Sequence, residues 1–315
     1  MKRIIIGVCT LIALTACSGS SSSSETTMPD EVLAGKCAPT AKNPALGLAA
    51  VTDDFRVHVW TNPESTKPVV LEQLGDIPSE SNEGYDISLV ETAAVSPKDC
   101  TVFVGACCEP VSGVTFYRGE KKGEWLQVYG RLPAISPDGE LLAIAGYENL
   151  TISSTANPSV ANATITLPPA DEVWVERVQW INGDEVAITG AKKDGIYVWI
   201  ARMSDGTLRE AFRITKDIHQ DTGAISAVGI VGTDEMGNIV TQNVTVGENG
   251  VEKQFLEYRY LDSFQTFTTT ALPDDVIHYR MNLGRTSMTV SNRALSIWFG
   301  NADPVQLGAE YVWAG

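Results

Sequence analysis

The stretch Pro133-Ala134-Ile135-Ser136-Pro137-Asp138-Gly139-Glu140-Leu141-Leu142-Ala143-Ile144-Ala145 reads as a short strand, a tight turn and a second strand. Pro137 pre-sets φ at the second turn position, and Asp138-Gly139 supply residues that tolerate unusual φ at its end. The same pattern recurs along the chain. Ser96-Pro97-Lys98-Asp99 follows Ala93-Ala94-Val95 and precedes Thr101-Val102-Phe103-Val104. Asn182-Gly183-Asp184 lies between Val178-Gln179-Trp180 and Val186-Ala187-Ile188-Thr189. A weaker fourth turn, Asp234 to Asn238, lies between Ala227-Val228-Gly229-Ile230 and Ile239-Val240. Turns spaced by roughly 40 to 55 residues have the period of propeller blades.

The surrounding composition agrees. Gly is frequent, at 27 residues. Long amphipathic helical patterns are absent, and short alternating strands separated by turn signals take their place, the mark of an all-β sandwich, barrel or propeller. The order strand, S-P-D-G, strand resembles the blades of TolB-like propellers, which share it with WD-repeat relatives. The resemblance is clearest over residues 93–104 and 133–145. It implies a fold and no particular activity.

Five full blades are drawn over residues 86–129, 131–168, 172–215, 224–271 and 274–308. Three more strands fall around Leu46–Val51, Phe55–Trp60 and Val69–Leu74, without an inner strand. LAAVTDDFRVHVW there parallels LLAIAGYENLTIS, so the segment begins as the second strand of a blade. Glu310 to Ala314 is a lone strand at the other end of the chain. Joining the two predicts a single six-bladed propeller closed by its N- and C-terminal strands, which also removes exposed edges. The uneven intervals leave seven blades as the alternative. The propeller domain is expected over residues 43–315, large for one domain but usual for a closed all-β fold.

The N-terminus carries a different signal. Lys2 and Arg3 precede an apolar run of eleven residues, Ile4 to Leu14. That is the length of a signal-peptide core and too short to span a bilayer as a helix. Leu14-Thr15-Ala16-Cys17 resembles a bacterial lipobox. The resemblance implies cleavage after residue 16 and lipidation of Cys17. Residues 17–42 then form a Ser-rich tether and N-terminal arm, with little to bury. The expected location is the cell envelope, anchored through the Cys17 lipid on the extracytoplasmic side. In two-membrane bacteria, Ser18 after the lipidated Cys implies the outer membrane. Loss of Lys2 and Arg3 with the signal leaves 21 basic against 39 acidic residues, a net charge near −18. Such a surface repels nucleic acid and keeps an exported domain soluble. The molecule is expected to be a monomer.

Of six cysteines, Cys9 leaves with the signal and Cys17 carries lipid, so Cys37, Cys100, Cys107 and Cys108 remain. An oxidising compartment pairs them. Cys100 and Cys107 flank one strand, which separates them by about 23 Å. A disulfide needs Cα atoms within about 7 Å. The expected bridges are therefore Cys37–Cys100 and the vicinal pair Cys107–Cys108, in Gly105-Ala106-Cys107-Cys108-Glu109-Pro110-Val111-Ser112-Gly113. A vicinal bridge is strained and easier to reduce, which gives a redox role a physical basis. The simpler role is a rigid knuckle shaping one loop. CCEP-x-S-G also resembles a string in TolB-like exported propellers of actinobacteria.

No G-x-S-x-G elbow, H-E-x-x-H pair or phosphate-binding Gly loop is present. No catalytic residue is assigned, and no metal or cofactor is expected. His58 and His278 sit in strand patterns and read as structural, whereas His219 lies in a connection between blades. Propeller lactonases hold a metal with loop Glu, Asn and Asp. Asp53, Glu109 and Glu148 occupy comparable second-to-third-strand loops here, where acidic residues are usually only solvated. The seven Trp fall mainly in strands and read as core. Asn149, Asn162 and Asn243 open glycosylation triplets that match by chance in a bacterial lipoprotein. The function expected is binding or scaffolding. Loops around Asp53, Asp54, Glu109, Glu148, Asn149 and His219 would engage a protein, peptide or envelope polymer. A metal-dependent lactonase or glycan-active hydrolase is the first alternative, and a redox protein using Cys107–Cys108 the second.

Overall fold

The computed structural model describes residues 48–52, 56–60, 69–73, 90–96, 101–106, 113–118, 125–215, 228–234, 236–246, 252–272, 276–282, 286–291, 294–299, 305–306 and 311–314. Side chains are described within these between Thr92 and Leu272. The described elements are strands, gathered into four-stranded antiparallel sheets. No helix among the described residues is long and apolar enough to cross a membrane.

Four consecutive strands make each of five sheets. They are β4 (Val90–Val95) to β7 (Trp125–Tyr129), with β5 (Val102–Ala106) and β6 (Val114–Arg118) between them; then β8 (Arg131–Ile135), β9 (Leu141–Ala145), β10 (Asn149–Ser154) and β11 (Asn157–Thr166); then β12 (Trp174–Trp180), β13 (Glu185–Lys192), β14 (Gly195–Arg202) and β15 (Thr207–Thr215). They continue with β16 (Gly229–Thr233), β17 (Ile239–Val246), β18 (Glu252–Arg259) and β19 (Thr266–Ala271), and end with β20 (Val276–Asn282), β21 (Thr286–Ser291), β22 (Ala294–Phe299) and β23 (Val305–Gln306). A further sheet has the order β24-β1-β2-β3, from β1 (Leu48–Thr52), β2 (Arg56–Trp60), β3 (Val69–Gln73) and the distant β24 (Tyr311–Ala314). Its β1 pairs antiparallel with β24, Val51 opposite Trp313.

The apolar runs are explained by burial on both faces. In β14, Tyr197, Trp199 and Ala201 join a core shared with β8 to β11. The intervening Ile196, Val198 and Ile200 join a second core with Ile230 and Ile239 of the following sheet. In β9, Ala143 and Ala145 face the first core, whereas Leu142 and Ile144 pack with Phe103 and Tyr117 of the preceding sheet. Side chains alternate with period two, so a strand between two neighbouring sheets needs apolar residues at every position. The sheets therefore stack face to face, with cores in the gaps between them.

The recurrent turn stabilises itself locally. The Ser136 hydroxyl donates to the Asp138 carboxylate and accepts from the Leu141 amide at 2.9 Å. Gly139, at φ 77°, donates its amide to the Ser136 carbonyl at 2.8 Å. In the third turn, Asn182 Oδ1 accepts from the amides of Asp184 and Glu185 at 2.8 and 2.9 Å. In the fourth, Asp234 Oδ1 accepts from Met236 and Asn238. Serine, asparagine and aspartate side chains thus each accept from backbone amides two to five residues further on.

Candidate functional site

Antiparallel pairing divides each sheet into two ends. The polar turns at Ser136–Gly139, Asn182–Glu185 and Asp234–Asn238 occupy one end. At the other end Arg131 pairs with Ala145, Tyr129 with Val114, and Trp174 with Ala191. The features that distinguish this second end come from the joint between β7 and β8.

Gly130 alone connects those strands, at φ 106°. A Cβ there would lie 2.6 Å from Ile144 Cγ2 and 2.9 Å from the Ala145 carbonyl oxygen, so only glycine fits. Its amide donates to Gly113 O at 3.1 Å, and its carbonyl accepts from Thr115 Oγ1 at 2.8 Å. Leu132, two residues on, is buried with φ at 58°, a left-handed conformation costly for a branched side chain. The register slips over the same residues, between Arg131 and Ala134. This bulge aims the Arg131 side chain across to the next sheet. Its guanidinium donates to the Val175 carbonyl and lies 4.3 Å from the centre of the Trp174 ring. Arg131 is only 7% exposed, whereas Trp174, stacked on it, is 46% exposed.

Two further aromatics share this end. Tyr129 precedes Gly130 and is 74% exposed; Tyr147, two residues past Ala145, is 50% exposed. The contact of Gly130 with Ala145 brings the two tyrosine-bearing segments side by side. The tip 146–148 is held by Gly146 N donating to Asn149 O at 2.7 Å and by Leu167 N donating to Glu148 O at 2.8 Å. Leu167 opens the connection to Trp174, where the amides of Glu172 and Val173 both donate to Pro169 O. Backbone contacts therefore gather the segments that carry Tyr129, Tyr147, Glu148, Glu172 and Trp174 at one end of the sheets. Glu148, Asn149, Asp171 and Glu172 are exposed there.

Beside it, Lys192 bonds Glu210 and lies over the rings of Tyr197 and Trp199, at 4.5 and 5.2 Å from their centres. The hydrogen bond to Glu210 is the chief cause holding the Lys192 pKa above its usual value. Its charge is committed within the fold. Tyr197 donates to Asp194 at 2.8 Å, which also pairs with Arg213.

Of the residues singled out from sequence, Glu148 and Asn149 fall on this surface. Asp53, Asp54, Glu109 and His219 lie outside the described residues, as do Cys17, Cys37, Cys100, Cys107 and Cys108. His58 and His278 fall within β2 and β20. Trp180 and Trp199 are core, but Trp174 is not. Asn243 is buried, with its amide 3.4 Å from the Ile214 carbonyl, and is closed to modification. Among the described residues no three His, Cys, Asp or Glu side chains are grouped to hold a metal ion. Sequence patterning missed Arg131 and Trp174. Their contact joins residues far apart in the chain, and the only local sign was the pair of exceptions, Gly130 before an arginine and a proline two residues after it.

No protein-family model matches the chain, and no curated protein matches it. Solved structures do resemble it. TolB from Acinetobacter baumannii superposes with a TM-score of 0.53 at 11% identity, covering 86% of this chain and 66% of that one. Hydrazine synthase from Kuenenia stuttgartiensis gives 0.46 at 12% identity, covering 70% and 66%. The Dos1 propeller gives 0.43 at 12% identity, covering 69% and 57%. The aligned region spans less than two thirds of each of those three chains. Stacked four-stranded antiparallel sheets and the likeness to TolB together identify a β-propeller fold.

Proposed function

We propose that the protein is an extracytoplasmic binding or scaffold protein, tethered to the cell envelope by a lipid on Cys17 and engaging a protein, peptide or envelope polymer through one end of its propeller. Residues 1–16 are the signal, residues 17–42 the tether, and residues 43–315 one monomeric propeller of six blades. The ring closes where β24 joins β1, β2 and β3. The bridges Cys37–Cys100 and Cys107–Cys108 brace the arm and one loop. The lipobox-like sequence supports the anchor, and the sheet order β24-β1-β2-β3 supports the closure.

The observation that carries the binding function is the exposure of Tyr129, Tyr147 and Trp174 on one end of the sheets. Tyr, Trp and Arg dominate the energetic centres of protein interfaces, because they bury much area at small entropic cost. Trp174 is also held in place by the buried Arg131, so its ring is ordered before any partner arrives. The test is site-specific photo-cross-linking on intact cells. A benzophenone side chain at Tyr147 is expected to capture one identified partner, and capture is lost in the Trp174→Ala background. The same group at Met236, on the opposite end and 88% exposed, captures none. Equal capture from both positions, or none from either, would overturn this function.

A further inference from the structure

We infer that the Tyr129–Tyr147–Trp174 surface takes a lysine- or arginine-rich segment of a partner protein. This rests on the binding function proposed above and gives its partner a chemistry.

Three observations point to a cation. First, the tyrosine rings are open: among the described residues no aromatic ring or cationic group stacks on Tyr129 or Tyr147, although both are at least half exposed. The face of a tyrosine ring attracts a cation within about 6 Å of its centre. Second, the exposed charge bordering the rings is acidic. Glu148, Asp171 and Glu172 lie on the two segments joined by the Leu167–Glu148 hydrogen bond. Against them stands the exposed Lys193 on the neighbouring hairpin, next to the exposed Asp194. The other nearby cations are engaged: Arg131 with Val175 and Trp174, Lys192 with Glu210, and Arg213 with Asp194. Third, the whole chain is acidic, with 39 Asp and Glu against 23 Lys and Arg, so its long-range field draws in a basic segment and repels an acidic one.

The surface divides its roles. Arg131 already occupies one face of Trp174, which makes that ring a poor seat for a second cation. It is instead an apolar wall for the methylene stem of a lysine or arginine. The charged head then lies over a tyrosine ring and within reach of the carboxylates. Neither a neutral nor an acidic segment satisfies both parts.

The test uses the purified propeller and three fluorescently labelled twelve-residue peptides: one rich in lysine and arginine, one rich in serine and glycine, and one rich in glutamate. Anisotropy is expected to show binding of the basic peptide alone, weakening at least tenfold between about 50 and 300 mM salt. Tyr147→Ala weakens it at least fivefold. The triple variant Glu148→Gln, Asp171→Asn, Glu172→Gln, whose side chains are exposed and leave the fold intact, weakens it at least tenfold. Asp205→Asn, on the opposite end, changes nothing. Binding of the neutral or acidic peptide as tightly as the basic one overturns the inference, and so does indifference to the triple variant. Preference for a neutral oligosaccharide over the basic peptide at the same ring residues also overturns it, yet leaves the binding function standing. Failure of cellular cross-linking from Tyr147, or equal capture from Met236, removes both.

Discussion

At the scale of single residues, Leu132 shows how the candidate surface is held. Its left-handed backbone is an exception in a buried, branched residue, and such exceptions persist only where the surroundings over-determine them. Here Gly130 is locked against Ala145, and Pro133 lies where a Cβ on Gly105 would come within 2.7 Å of its Cδ. Leu132 itself joins the core with Leu150, Ile152 and Val178. Replacing it by alanine is expected to cost about 3 kcal/mol, mostly as a cavity. The informative step is alanine to glycine. In an ordinary strand that step costs roughly 1 kcal/mol more, and the fully buried Leu142 supplies that control. At Leu132 glycine relieves about 1 to 2 kcal/mol of left-handed strain, so the step is expected to cost nothing or to reverse. Chemical denaturation of the four variants measures both steps. An equal loss at the two positions would mean that Leu132 carries no strain.

At the scale of elements, the turns govern how much the sequence discloses. The Ser136 turn is legible because its stabilising groups lie within six residues of one another. Ser136, Asp138, Gly139 and Leu141 bond one another, with Thr155 adding a bond to the Gly139 carbonyl. The hydroxyl of Ser136 is buried and caps the Leu141 amide, so Ser136→Ala leaves that donor without its partner and is expected to cost about 1 to 2 kcal/mol. A loss below a few tenths, read from the denaturation midpoint, would show that another acceptor replaces it. The strands on either side were legible for a related reason: burial on both faces writes an uninterrupted apolar run. The surface carrying Tyr129, Tyr147 and Trp174 was not. Tyr129 and Trp174 read as ordinary strand aromatics and Tyr147 as a loop residue, and nothing in the spacing says that Trp174 stands over an arginine from the preceding sheet. Packing between sheets is a tertiary fact, and a tryptophan in a strand is usually core. Glu148 and Asn149 were found only because loops next to strands are where recognition tends to occur.

At the scale of the whole molecule, a propeller has to hold its first and last blades together. The sequence suggested an answer through an asymmetry, a blade without an inner strand at one end and a strand without a blade at the other. The sheet order places them together: β24 pairs with β1, Ala50 opposite Ala314 and Val51 opposite Trp313, through a register that slips before Thr52. If that pairing closes the ring, residues 311–315 matter far beyond their number. Removing them strips the inner strand from one blade and exposes the edge of β1, a template for pairing with another chain. Because the β8–β11 and β12–β15 sheets each bury apolar side chains against both neighbours, an opened joint of the same kind would leave apolar surface bare on both sides of the gap. The expected result for a chain ending at Glu310 is a melting temperature lower by at least about 5 °C, a broader transition and concentration-dependent association. A conservative partner variant, Val312→Thr, keeps the strand and its backbone bonds and is expected to lose much less. Should the shortened chain melt like the full one and remain monomeric in sedimentation, β24 would be an accessory strand, and the ring would have to be stable without that seam.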